Sequence, residues 1–267
     1  MKIPRFLFHA LALLLFFSCS SDSNSPDTSI IEDENGDPVT VDISANRKST
    51  GESANELLSD KDFDKLTIEI IYVEGLAPSE DSLDNLKTFL EGLLNKPFGI
   101  EIVQQQIESP GKSVFSIADI RNLEDDVRKE YNDDKKIAVS GIFLDGEYDM
   151  NTDSGSVLGV AYRNTSFVIF EETIRSFSGQ PLSPSLETLE SVVINHEFGH
   201  LLGLVNAGTT MQVDHQDEEH GRHCDVDTCL MYWTAETGEG LLNMLTGGSI
   251  PELDGQCLDD LKANGGK

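Results

Sequence analysis

The chain is 267 residues long and sets 48 acidic side chains against 19 basic ones, a formal charge of −29. That length is ample for one well-buried domain with a tail. A surface this acidic repels the phosphates of nucleic acids, which excludes them as partners, and repels anionic lipid headgroups in the same way. With 38% hydrophobic and 25% charged residues the composition is not that of a disordered chain.

Read from the N-terminus, Lys2 and Arg5 precede a nearly unbroken apolar run from Phe6 to Phe17. The run is too short for a permanent membrane span and has the length of a signal-peptide core. Phe16-Phe17-Ser18-Cys19 resembles a bacterial lipobox, which implies lipidation of Cys19 after removal of residues 1–18. An ordinary signal peptide cut nearby is the alternative, and on either reading the mature protein is exported. Residues 19–62 are rich in Ser, Asp, Asn, Glu and Pro, and are expected to form a flexible tether, with a turn or two of helix at Ser53–Leu58.

From residue 63 the pattern changes. Leu66–Val73 predicts a strand, and Leu83, Leu86, Leu90, Leu93 and Leu94 predict a helix that ends before Pro97. Gly99–Ile107 predicts a second strand and Ile117–Tyr131 a second helix. Ile137–Leu144, Val157–Tyr162 and Ser166–Phe170 predict three further strands. After a long Pro/Ser-rich loop, Ser183-Pro184 offers an N-cap and first turn for a helix running to about Leu202. The order β-α-β-α-β-β-β-α predicts a mixed α/β (α+β) fold, one sheet followed by one chemistry-bearing helix.

That helix carries His196-Glu197-Phe198-Gly199-His200. Imidazoles at i and i+4 share one helix face and can grip one Zn²⁺, while the intervening Glu197 is placed to serve as general base and then acid. Gly203 stands where a sharply turning helix end wants a residue free to take positive φ.

Residues His196 to Tyr232 resemble the metzincin metallopeptidases, whose motif H-E-x-x-H-x-x-G-x-x-H is followed by a Met-turn. The resemblance implies a zincin-type twisted sheet, one catalytic zinc, and a peptide or protein substrate. The motif's last position is Asn206 here. Downstream, His223-Cys224 to Cys229-Leu230-Met231 is similar to the archaemetzincin continuation H-C-x4-C-x-M. On that alignment His223 completes the zinc site and Met231 is the Met-turn, with His215, His220 and Asn206 as successive alternatives for the third ligand.

Archaemetzincins also hold a structural zinc on four cysteines. Beyond Cys19 only Cys224, Cys229 and Cys257 remain, with Asp260 closing the C-x-x-C position. In an exported protein a Cys224–Cys229 disulfide is the expectation, and a second metal the alternative. Asp149–Gly155 begins like a calcium loop but lacks its closing Glu, so a polar hairpin turn is expected. Val157–Tyr162 could add to a substrate strand at the cleft edge or be an ordinary internal strand. Asp217, Glu218, Glu219, Asp225 and Asp227 crowd around His223 and would favour basic peptides.

Together these residues describe an exported, membrane-anchored zinc peptidase. A non-catalytic surface lipoprotein that keeps the metal scaffold to bind a partner is the second reading. Intact Glu197 speaks against it, and Asn206 for it.

Overall fold

A computed structural model describes residues 28–32, 37–152, 155–178, 183–245 and 249–267. The signal sequence and Cys19 lie outside them. In chain order the elements are β1 (Thr28–Glu32), β2 (Pro38–Asp42), α1 (Ala54–Leu58), β3 (Lys65–Val73), α2 (Glu80–Leu93), β4 (Ile100–Ile107), β5 (Val114–Phe115), α3 (Ile117–Val127), β6 (Lys136–Phe143) and β7 (Glu147–Tyr148). There follow β8 (Gly159–Arg163), β9 (Ser166–Ile169), α4 (Glu171–Ser178), α5 (Leu186–Leu201), α6 (Gly238–Met244) and α7 (Gly255–Ala263).

β3 is rich in β-branched and apolar residues on both faces, because both faces are covered. Leu66, Ile68 and Ile70 face a core built with α2, α5 and α7, whereas Ile71 and Val73 face a second core with Ile120 of α3. The same alternation splits β6 and β9: Val139, Phe143, Phe167 and Ile169 lie on the first face, Ile142, Leu144 and Val168 on the second. The sheet order is β4-β3-β6-β9-β8, with all neighbours parallel except β8, which runs antiparallel to β9 at the edge. This is the mixed α/β sheet expected from the element order, and most of its neighbours run parallel. Among the described residues no helix is long and apolar enough to cross a membrane.

Four local expectations change, the first being the cap of α5, where Ser185 and not Ser183 accepts from Thr188 N. Residues 43–62, read as part of a tether, are packed on this body: Ile43, Ala54, Leu57 and Leu58 are buried. Polar side chains do much of the joining, with Asn46 Nδ2 donating to Ala138 O at 3.2 Å and Thr165 Oγ1 at 3.0 Å, and Asn164 Nδ2 to Ser53 Oγ at 2.8 Å. Composition could not signal that burial. The second helix stops at Val127 instead of Tyr131, because Arg128 turns into a buried pairing with Glu124 at 2.7 Å and with the Ala138 carbonyl at 2.9 Å. The stretch after β9, read as loop, opens with α4, whose Ile174 is buried. At Asp149–Gly155, Thr152 and Gly155 face each other across an antiparallel bridge, as a hairpin turn requires.

α4 is tied to α5 through acid. Glu171 and Glu190 are both fully buried, Arg175 Nε donates to Glu171 at 2.6 Å, and Ser79 N and Oγ donate to Glu190. One oxygen of each carboxyl has no partner. Burial and then the Glu190 charge push the Glu171 carboxyl up to about 9. The folded chain therefore holds a proton that the unfolded chain releases near pH 4.5, and stability falls as pH rises through the window from there to about 9. Glu171→Gln is expected to flatten that fall, with a Tm at pH 8.5 above that of the unchanged chain. Thermal unfolding across pH 5 to 8.5 checks it, and equal pH slopes would refute it.

Candidate metal centre

α5 is buried nearly all round, from Leu189 to Leu201, so its chemistry-bearing residues are fixed by packing on every side. His196, Glu197 and His200 project from its last two turns. The His196 and His200 rings meet at 4.8 Å between centroids, with their Nε2 atoms 3.1 Å apart. Gly203 takes φ +74°, as expected, and a Cβ there would lie 2.6 Å from Thr209 N. Val205 and Asn206 are also left-handed, so the chain reverses at once, and Asn206 points away toward Gln216.

The returning loop brings His223 to the pair, its ring 5.3 Å from His196 and 5.2 Å from His200. Met231 is fully buried with its sulfur against Gly199, on the same helix as His196 and His200: a Cβ on Gly199 would come within 2.3 Å of Met231 Sδ. The adjoining Leu230 carbonyl accepts from His196 Nδ1 at 2.8 Å. That bond puts the proton on Nδ1 and leaves the His196 Nε2 lone pair facing the other two rings. Burial, and then the neighbouring His196 and His223 rings, hold His200 well below the usual imidazole range.

A cation suits this arrangement. His223 Nε2 has no hydrogen-bond partner, and neither oxygen of the fully buried Glu197 has one. Ligand atoms of His196, His200, His223 and Glu236 all lie within 4.8 Å of one another. Three imidazoles with a carboxylate are a zinc donor set. Burial, then the charge of Glu236, pushes the Glu197 carboxyl well above its ordinary range. Gly159 of β8 makes room for that side chain, because a Cβ there would sit 2.8 Å from Glu197 Oε1.

The alternatives for third ligand go elsewhere. His220 stacks on Trp233 at 4.2 Å. His215 is buried, its Nε2 2.9 Å from Asp260 Oδ2 and its Nδ1 3.4 Å from Cys224 Sγ. Cys224 and Cys229 are not joined as the expected disulfide: Cys224, Cys229 and Cys257 are all free thiols. They converge because α7 carries Cys257 to within 3.7 Å of Cys229 Sγ, while donor atoms of His215, Cys224, Asp254 and Cys257 lie within 4.8 Å of one another. Hydrogen bonds from Cys224 and then Cys257 pull the Cys229 thiol down to about 4, into the thiolate range. His215 thus sits with the cysteines and not with the three other imidazoles, and neither Glu236 nor Gly159 carries a signal in the sequence.

No protein family's sequence model matches the chain, and no curated protein matches it. Among solved structures it is similar to an archaemetzincin from Methanopyrus kandleri, at TM-score 0.49 and 15% identity over 75% of this chain and 96% of that one. It is also similar to a zinc-dependent peptidase from Methanocorpusculum labreanum, at TM-score 0.45 and 16% identity over 73% and 99%. A third likeness is to metalloproteinase-II from Bacteroides fragilis, at TM-score 0.44 and 15% identity over 88% of this chain and 64% of that one.

Proposed function

We propose that the protein is a zinc peptidase, with the metal on His196, His200 and His223 and with Glu197 as its proton carrier. The carrying observation is the convergence of three buried imidazoles on a point beside a buried carboxyl whose oxygens have no partner. Zinc held there would supply Lewis acidity toward a water and toward the scissile carbonyl. Glu197, ionised beside the bound cation, would take the proton of the attacking water and hand it to the leaving amine. The Leu230 carbonyl holds the His196 ring in its tautomer, and Met231, packed on Gly199 between the two helix histidines, would serve as the Met-turn. Glu197 in working position favours catalysis over a scaffold kept for partner binding.

The protein should cleave a mixed peptide library when loaded with zinc, lose that activity to 1,10-phenanthroline and regain it with added Zn²⁺. Basic peptides should go faster than acidic ones, given the acidic residues around His223. A zinc-loaded protein that leaves the library intact would end the proposal.

A second, structural zinc on His215, Cys224 and Cys257, with Cys229 Sγ 3.7 Å from Cys257 Sγ and Asp254 beside them as candidates for the last position, belongs to the same reading. His215 would offer Nδ1 while Asp260 orients the ring through Nε2. Export and lipidation at Cys19 are also part of it, placing the enzyme on a bacterial membrane surface at the end of a tether. The intact mass of membrane-extracted protein tests that, and a mature chain with an unmodified N-terminus would contradict it.

A further inference from the structure

We propose that Glu236 is a fourth protein ligand of the metal held by His196, His200 and His223, delivered to it by a strand pairing that closes the edge of the sheet. The proposal rests on the zinc-centre reading above and adds to it a resting state in which the protein itself fills the position a water would take.

Glu236 closes a single 3-10 turn, Trp233–Glu236, that follows the Met231 turn. Its Oε2 lies 3.7 Å from His196 Nε2 and 4.0 Å from His200 Nε2, and its Oε1 lies 3.5 Å from His223 Nε2. Four ligand atoms at zinc distances stand about 3.3 Å apart along the edges of a tetrahedron. The His196–His200 edge is 3.1 Å, and the carboxylate closes the figure at the remaining corner. Its distances run somewhat long, the direction that contraction on a cation would correct. Glu197 is not in this set, so it is left as the group without a coordinating duty.

The backbone explains why Glu236 is there. Leu158 N donates to Glu236 O at 2.9 Å, Gly238 N donates to Ser156 O at 3.0 Å, and Val157 opposes Thr237 in an antiparallel bridge. Segment 236–238 thus lies as an added strand along the run into β8, the edge strand of the sheet. This is the stretch that an extended peptide could otherwise have used from residue 156 to 158. The carboxylate and the edge are occupied by the same three residues, so freeing one loosens the other. A substrate entering from this side would have to displace both.

The test uses full-length protein with Co²⁺ in place of zinc. The visible bands of the imidazole–carboxylate centre separate from thiolate charge-transfer bands of the cysteine cluster. Two readouts should move in opposite directions in Glu236→Gln. Cobalt affinity at the histidine centre, measured by chelator competition, should fall about tenfold or more. Affinity for acetohydroxamate, a probe of an open coordination position, should rise about tenfold or more. Misfolding would weaken both, so it cannot imitate the result. Glu236→Asp keeps the charge but shortens the reach, and should also lose cobalt affinity. Unchanged cobalt and hydroxamate affinities in Glu236→Gln, or full affinity in Glu236→Asp, would overturn the proposal. Failure of the underlying centre would look different: the unchanged protein would show no cobalt bands that His196→Ala and His200→Ala abolish.

Discussion

Glu197→Gln is expected to lower kcat/KM on peptides by about 10²- to 10⁴-fold while leaving zinc content and KM nearly unchanged. The substitution keeps the shape of a side chain that is fully buried between α5 and Gly159, so packing is preserved. What it removes is the capacity to hold a proton. Burial, reinforced by the charge of Glu236, holds this carboxyl well above the ordinary carboxylate range in the metal-free chain, and a cation at the three histidines would favour the ionised form that a general base needs. Loss confined to kcat would identify a step made only in the transition state. A variant as active as the unchanged enzyme would remove Glu197 from the chemistry.

His223→Ala is expected to cost zinc itself, lowering affinity at the histidine centre on the order of 10²-fold or more and abolishing cleavage with it. The ring is nine-tenths buried and its Nε2 has no hydrogen-bond partner. Alanine therefore removes a donor without freeing any protein partner to replace it. His215→Ala should leave that centre loaded, because His215 lies against Cys224 and Asp260 instead. Asn206→Ala should be close to silent, since Asn206 faces outward to Gln216. Chelator competition on the three variants separates these outcomes, and a centre lost in His215→Ala but kept in His223→Ala would reverse the assignment.

What the sequence made legible was local. His196 and His200 share a face because i and i+4 always do, and Gly203 needs its freedom because a tight reversal follows one turn later. β3, β6 and β9 are legible as strands because apolar residues crowd both of their faces, which are covered. His223 was reachable only through the spacing of the cysteines and methionine behind it. What stayed hidden was contact between distant segments. Glu236 reaches the histidines because segment 236–238 pairs with residues 156–158, about eighty residues earlier, and no periodicity announces such a bridge. Gly159 is an ordinary strand glycine until Glu197 is set against it. Residues 43–62 looked like tether because Asn46 and Ser53 are polar, yet each is buried through hydrogen bonds to partners about a hundred residues away. The cysteines carried the same lesson: α7 brings Cys257 across to Cys229, and a reading along the chain paired Cys224 with its nearer neighbour instead.

The most direct measurement is an anomalous difference map at the zinc absorption edge, from crystals of protein purified without added metal. The account predicts one peak bonded to the Nε2 atoms of His196, His200 and His223, and a second among Cys224, Cys229, Cys257 and His215. Zinc-loaded protein with no peak at the three histidines would contradict it.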